Sequence, residues 1–207
     1  MDLYLLALIA ANCIFSYQGF QDERFFRKYE FHIGSIKAGQ QLRMLTSAFL
    51  HGDLMHLVFN MYSLWLFGPF VISNMGGFGF LIVYFISLFG GSLLTYYVHK
   101  NDYGYRAIGA SGAVTGIVYA AILVQPNLQI WFLPGYVFGI GYLLYSIYGM
   151  RAKNDNIGHT AHFGGAIGGY LYTIVWNPSM LVTNLQTVII LAVPILILFY
   201  LSKTGKL

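Results

Sequence analysis

The chain has 207 residues, of which 57% are hydrophobic and only 9% are charged. Soluble domains carry roughly 25% charged residues, so this composition excludes an ordinary soluble protein. A single cysteine excludes a disulfide framework, and eleven Lys and Arg residues are too few for a nucleic-acid-binding surface. The composition therefore indicates an all-α membrane protein with several spans.

Seven apolar stretches approach the length needed to cross a bilayer core of about 30 Å. They contain no Asp, Glu, Lys or Arg, and they lack the alternating pattern of a membrane β-barrel, which favours helices. The stretches lie at 3–19, 54–73, 78–98, 109–125, 128–149, 160–177 and 181–202. The first has neither the basic region nor the cleavage site of a secretory signal, so we expect a retained helix.

The connection 20–53 is much longer than the others and mixes basic and aromatic residues. This composition suits a segment in the membrane interface, with its rings in the bilayer and its cations at the headgroups. The alternative is a plain water-exposed loop. The residues in question are Arg24, Arg27, Lys28 and Lys37 with Phe25, Phe26, Tyr29 and Phe31.

Seven spans place the two ends of the chain on opposite sides of the membrane. All Lys and Arg residues then fall on one side, here called face A, which receives 20–53, 99–108, 150–159 and 203–207. By the positive-inside rule, face A is expected to be cytoplasmic.

Polar residues inside membrane helices are costly and indicate function. Ser111 lies in the first turn of the fourth stretch and His162 near the start of the sixth, and both stretches begin at face A. His56 and Asn60 of the second stretch are four residues apart, so they share one helix face slightly below the same surface. All four are therefore expected at similar depth.

Glycines are dense around Ser111 and His162. Pairs four residues apart let helix backbones approach closely, although the simplest interpretation of one such pair is packing alone. Close approach is also what a Ser–His hydrogen bond of about 2.6–3.2 Å requires. The pairs are Gly112 with Gly116, Gly164 with Gly168, and Gly165 with Gly169.

These residues suggest nucleophilic catalysis. Ser111 would attack a peptide carbonyl, and His162 would act as general base and then as acid toward the leaving amine. His56 and Asn60 could donate hydrogen bonds to the oxyanion, together with the backbone N–H of Ser111.

A dyad is expected because no stretch contains a carboxylate. A third member would require Asp53, Asp102 or Asp155 to fold inward from a loop. No metal is implied, since the zinc-protease pattern His-Glu-x-x-His is absent, and His159 with His162 is only a weak metal pair.

Three motifs occur in order along the chain: His51-x4-His56-x3-Asn60, Gly109-Ala-Ser111-Gly112, and Ala161-His162-x2-Gly165. Together with Arg43-Met-Leu-Thr46 and Gly68, they resemble the rhomboid intramembrane serine proteases over about 43–170. The resemblance implies a Ser111–His162 dyad, an oxyanion site at His56 and Asn60, and a place for His51 in a nearby polar, water-holding region. Gly109, Gly112 and Gly165 would be supporting residues.

The resemblance also implies a six-helix catalytic core, assigned to 1–178, with the site in a water-filled cavity. Residues 179–207 would add a seventh transmembrane helix and a short basic tail. Leu42 and Ile72 depart from the family pattern, where Trp and Glu are common. Thr115 stands where an aromatic residue often packs on the catalytic histidine, and we expect Phe163 or Tyr119 to compensate.

The expected function is that of a serine endopeptidase without a cofactor, which sits in the lipid bilayer and cuts peptide bonds in or near the transmembrane helices of other membrane proteins. These substrates are expected to be single-span. A bacterial cytoplasmic membrane is expected, and bacterial rhomboids generally open their site away from the cytoplasm, which conflicts with the assignment of face A. One alternative is a proteolytically silent rhomboid-like binding protein or chaperone. Another is a small transporter with a polar path through His56, Asn60 and His162.

Overall fold

The structure, a computed structural model, describes residues 2–152 and 157–205. Its long helices are α1 (Leu3–Gln21), α5 (Leu54–His99), α6 (Ser111–Val124), α7 (Gly135–Ala152), α8 (His159–Trp176) and α10 (Leu185–Lys203). Short helices are α2 (Glu23–Tyr29), α3 (Ile33–Lys37), α4 (Arg43–Thr46) and α9 (Met180–Thr183), with a 3₁₀ turn at Ser47–Phe49. Two antiparallel strand pairs join β1 (Phe31–His32) to β2 (Arg106–Ala107) and β3 (Gln129–Ile130) to β4 (Leu133–Pro134).

The long helices have the character of membrane spans. By length and composition, α1, α5 and α10 are each apolar enough to cross a bilayer, and α6 is a shorter apolar helix. Helices α7 and α8 have 18 residues each, but glycine, tyrosine and histidine lower their hydropathy. The all-α, multi-pass fold expected from the sequence is confirmed.

Helix α5 contains two spans joined at Gly76, whose φ of 73° and ψ of 168° are not helical. Positive φ is readily adopted by glycine and costly for other residues. His56 lies beside Gly109, just before α6, while a Cβ atom on Gly91 would lie 2.7 Å from the carbonyl oxygen of Ala161 in α8. Both ends of α5 therefore meet the beginnings of α6 and α8, so the chain reverses at Gly76 as the two predicted stretches required.

Helix α6 is the centre of the bundle, with every residue from 112 to 123 buried. Both halves of α5 and α8 surround it. On the outside, α1 packs through Leu5 and Leu8, which are buried in the same core. Helix α10 packs against α7 and α8, where Tyr170 donates a hydrogen bond to the carbonyl oxygen of Val188 at 3.0 Å. The division into a core at 1–178 and an appended segment stays a prediction.

The fifth span begins later than its apolar pattern indicates. The stretch was expected from residue 128, but α7 begins at Gly135 because the strands β3 and β4 form a tight hairpin. At its tip Trp131 has a positive φ of 58°, and Gly135 donates to the carbonyl oxygen of Leu128 at 2.7 Å. Apolar character alone could not separate this hairpin from the helix, because strands and helices both bury such residues.

The segment 20–53 is folded rather than a plain loop. Phe31, Ile33 and Ile36 form a small core of their own beside the β1–β2 pair. The carboxylate of Glu30 is buried and paired with Arg27 and Arg106. Its position in the membrane interface stays a prediction.

Candidate active site

Ser111 and His162 meet at one end of the bundle. Ser111 is the first residue of α6, and His162 lies in the first turn of α8. The imidazole Nε2 of His162 is 2.8 Å from the Ser111 hydroxyl oxygen, and the histidine is 5% exposed. This distance is that of a hydrogen bond, so the pair has the geometry required to activate a serine nucleophile.

The contact depends on two helices packed backbone against backbone. A Cβ atom on Gly165 of α8 would overlap the carbonyl oxygen of Gly112 in α6, and one on Gly169 would overlap that of Gly116. The predicted pairs Gly112–Gly116 and Gly165–Gly169 therefore lie in the α6–α8 contact, whereas Gly164 and Gly168 lie against Gly90 and Ile86 of α5. No other residue is small enough to allow this approach, which sets the separation of the two side chains.

The loop before Ser111 is held in a single conformation. Gly109 has a φ of 111°, and its N–H donates to the carbonyl oxygen of Ser47 at 3.0 Å. A Cβ atom on Gly109 would lie 2.7 Å from the His56 ring, so both the backbone angle and the close approach require glycine. Gly109 thus shapes the backbone that leads into Ser111, and its supporting role in catalysis stays a prediction.

His51 is hydrogen-bonded to the same loop. Its Nε2 accepts the N–H of Ala110 at 3.4 Å, and its Nδ1 lies 2.8 Å from the hydroxyl oxygen of Ser16 in α1. Burial and the neighbouring His56 lower the pKa of His51 to about 3, although Asp53 opposes them. His51 is fully buried, and its expected place in a polar, water-holding region stays a prediction.

His56 and Asn60 lie four residues apart on α5. The Nδ1 of His56 accepts the N–H of Gly52 at 3.4 Å, which leaves the ring proton on Nε2, the nitrogen nearest Gly109. The amide nitrogen of Asn60 donates to the carbonyl oxygen of His56 at 2.9 Å. Both residues line the same cavity as Ser111.

The cavity has a volume of about 890 Å³ and lies between the first half of α5 and α7. Its deeper wall is apolar and includes Phe59, Phe67 and Phe138. Its outer wall carries Asp53 and Arg106 beside the dyad. The cavity could therefore hold an extended peptide with apolar side chains next to the Ser111 hydroxyl.

An aromatic ring does pack on the dyad histidine, but it comes from α7. The Tyr142 ring stacks on His162, with ring centroids 5.4 Å apart and planes inclined by 29°. Its hydroxyl oxygen is 3.0 Å from His162 Nδ1. The hydroxyl of Tyr119 donates to the carbonyl oxygen of Gly139, and Phe163 lies in the apolar core. The expectation that either residue compensates for Thr115 stays a prediction.

Two of the three candidate carboxylates are used elsewhere. Asp53 caps α5 by accepting the N–H of His56 at 2.8 Å, and Asp102 accepts the N–H of Gly104 at 3.1 Å. Asp155 lies outside the described residues. Across residues 2–152 and 157–205, no group of three His, Cys, Asp or Glu side chains could hold a metal ion.

Three features of this region were not predicted from the sequence: Tyr142, Ser16 and the ion pairs of Glu30 with Arg27 and Arg106. Tyr142 is one of several tyrosines along its stretch, and no spacing distinguishes it from the others. Ser16 bonds to His51 across 35 positions of the sequence. Such long-range contacts leave no local pattern.

The chain matches a known protein family. The Rhomboid domain family matches residues 38–179, a span that includes the dyad. The chain is 28% identical over 185 residues to RHOMBOID-like protein 12, mitochondrial, of Arabidopsis thaliana, covering 78% of this chain and 55% of that protein.

Two other relatives are similar. Presenilin-associated rhomboid-like protein, mitochondrial, of Homo sapiens is 34% identical over 148 residues, covering 65% of this chain and 39% of its own length. Rhomboid protease GluP of Bacillus subtilis (strain 168) is 31% identical over 135 residues, which cover 65% of this chain and 26% of that protein. The chain thus spans about half or less of the length of these relatives. With the matching domain over most of its length, the chain belongs to the rhomboid family.

Proposed function

We propose that the protein is an intramembrane serine endopeptidase that hydrolyses peptide bonds of other membrane proteins. The observation that supports this most is the 2.8 Å contact between His162 Nε2 and the Ser111 hydroxyl oxygen at the wall of an 890 Å³ cavity. The Bacillus subtilis relative is named a protease, whereas the mitochondrial relatives are named only rhomboid-like.

The proposed acylation step uses both residues. The hydroxyl oxygen of Ser111 attacks the scissile carbonyl carbon while its proton passes to Nε2 of His162. The tetrahedral intermediate collapses when the imidazolium gives that proton to the leaving amine, which breaks the peptide C–N bond and leaves an ester on Ser111. Water then attacks the ester, with His162 again taking and returning a proton.

The oxyanion would be held by groups beside Ser111. Because Nδ1 of His56 accepts a backbone hydrogen bond, its Nε2–H is a donor at the cavity wall. Asn60 and the backbone N–H at the start of α6 lie on the same side. The positive end of the α6 dipole also favours negative charge there.

The walls of the cavity suit a substrate segment that has left its helical conformation. Phe59, Phe67 and Phe138 offer apolar contacts, and the opening lies beside the polar end of the bundle. The proposed substrates are therefore single-span membrane proteins whose helix unwinds at its end. The bacterial cytoplasmic membrane stays a prediction, since two of the three relatives above are mitochondrial proteins.

Cleavage of a reconstituted single-span membrane protein tests the proposal. We expect cleavage by the wild type and none by Ser111→Ala or His162→Ala. Binding of that protein without cleavage by the wild type would instead favour the silent rhomboid-like binder. Solute flux through proteoliposomes that survives Ser111→Ala would favour the transporter.

A further inference from the structure

His162 has a second ring nitrogen that the dyad chemistry does not use directly. While Nε2 faces the Ser111 hydroxyl at 2.8 Å, Nδ1 faces the hydroxyl oxygen of Tyr142 at 3.0 Å. The two rings also stack, so Tyr142 both covers the imidazole and contacts its outer nitrogen. Tyr142 projects from the middle of α7.

The chemistry requires one tautomer of His162. Nε2 can take the proton of Ser111 only if it carries a lone pair, so the ring proton must be on Nδ1. In the other tautomer an N–H would face the serine, and the base would be lost. The required tautomer makes Nδ1–H a donor, and the atom it meets is the Tyr142 oxygen.

One proton lies between Nδ1 of His162 and the Tyr142 oxygen, which are 3.0 Å apart. If Tyr142 donated it, Nδ1 would need the lone pair and Nε2 would carry the ring proton toward Ser111. The 2.8 Å contact of Nε2 can serve the nucleophile only in the opposite arrangement, in which Nδ1–H donates to the Tyr142 oxygen.

We propose that Tyr142 is a positioning residue that does for His162 what a buried carboxylate does in a Ser-His-Asp triad. It selects the Nδ1–H tautomer, fixes the ring plane, and accepts from Nδ1–H when the imidazolium forms. Tyr142 keeps its own proton throughout, and the only proton that moves travels from Ser111 to Nε2 and on to the leaving amine. This inference rests on the proposed protease function.

Tyr142→Phe tests the inference, because it keeps the stacked ring and removes only the hydroxyl. A hydrogen bond to a charged group changes a rate about 10- to 100-fold, so we expect kcat to fall by that factor with little change in KM. In ¹⁵N NMR of histidine-labelled protein, we expect the Nδ1–H form of His162 in the wild type and a mixture of tautomers in Tyr142→Phe.

A control variant and the wild type itself sharpen the test. Tyr148→Phe removes an exposed hydroxyl from the same helix and should leave both the rate and the tautomer unchanged. The wild-type tautomer needs no variant, so an Nε2–H form of His162 in the wild type would overturn the inference even if Tyr142→Phe folds poorly.

The results separate this inference from the proposed function. Wild-type kcat, or a wild-type tautomer in a slower Tyr142→Phe enzyme, would overturn the role of Tyr142. An inactive wild type would remove the proposed function alone, because the tautomer is read without turnover. Loss of the Nδ1–H form in Tyr142→Phe would then still support the hydrogen bond from His162 to Tyr142.

Discussion

Gly165 of α8 lies so close to Gly112 of α6 that a Cβ atom on it would overlap the Gly112 carbonyl oxygen. The obstacle is backbone and cannot rotate away as a side chain could. The separation of α6 and α8, and with it the Ser111–His162 contact, therefore depends on the missing side chain.

Gly165→Ala is expected to push α6 and α8 apart, abolish cleavage and lower Tm. Overpacking costs roughly 1–3 kcal/mol, more than the 0.5–1 kcal/mol that alanine gains over glycine inside a helix. The matched control is Gly141→Ala in α7, where an added Cβ atom meets nothing within 4 Å. This control should retain activity with an equal or higher Tm, and an active, stable Gly165→Ala enzyme would refute the account of the helix contact.

The oxyanion role of Asn60 predicts a rate effect without a binding effect. Asn60→Ala should lower kcat by about 10²–10³ and leave KM nearly unchanged, because the amide would act on the transition state. Asn74→Ala is a close control, since Asn74 makes the same 2.9 Å bond to the carbonyl oxygen four residues earlier in α5 but is exposed at the other end of that span. Equal kcat values for the two variants would argue against an oxyanion contact.

Acid is expected to weaken the fold through His51. Its folded pKa of about 3 lies below the ordinary 6.5, so between these values the unfolded chain binds more protons. The contribution of neutral His51 to the free energy of unfolding is complete above pH 6.5. It falls by roughly 1.4 kcal/mol per pH unit as the pH drops toward 3. Tm measured in detergent from pH 7.5 to pH 5 should therefore decrease.

His51→Gln removes the titrating group and should flatten this dependence, at the expense of a lower Tm at neutral pH. The loss at neutral pH is expected because Ser16 and Ala110 both bond to the imidazole. The same pH slope in His51→Gln and wild type would mean that another group controls the acid response.

The basic residues near the site serve the fold, which bears on membrane orientation. Arg27 and Arg106 neutralise the buried Glu30, and Arg43 donates to the carbonyl oxygens of Arg27 and Glu30 at 2.8 and 3.0 Å. Because these three arginines have structural partners, their presence at this end of the bundle does not require that end to be cytoplasmic. We therefore predict that the end of the bundle carrying Ser111 faces away from the cytoplasm.

Two asparagines at opposite ends of the bundle allow the membrane orientation to be measured directly. Asn101 is exposed just after α5, at the end that carries the site, and Asn127 is exposed just after α6, at the other end. In a Cys13→Ala background, Asn101→Cys should react with an impermeant maleimide in intact cells, and Asn127→Cys only after permeabilisation. The reverse pattern would place the site in the cytoplasm, as the positive-inside rule predicts.

The sequence predicted those parts of the site that lie within single helices or repeat at helical spacing. Ser111 and His162 begin their stretches, and the glycine pairs have a spacing of four, so both their depth and the close approach of the helices were predictable. Gly76 separated two apolar stretches and marks the reversal in α5.

Features set by tertiary register could not be predicted in this way. Which face of α7 meets His162 depends on where that helix begins, and the hairpin at β3–β4 delays its start to Gly135. The contact of Tyr142 with His162 follows from this register. The contact of His51 with Ser16 could not be predicted for a similar reason, because Ser16 comes from α1, outside the motif that contains His51.

The central claim is that His162 activates Ser111, and labelling of purified protein with a fluorophosphonate probe tests it most directly. We predict labelling of the wild type at Ser111, loss of label in Ser111→Ala and His162→Ala, and full labelling in Ser73→Ala, whose hydroxyl bonds to its own helix at the carbonyl oxygen of Phe70. A wild-type protein that stays unlabelled while folded, or that labels equally without His162, would contradict the account.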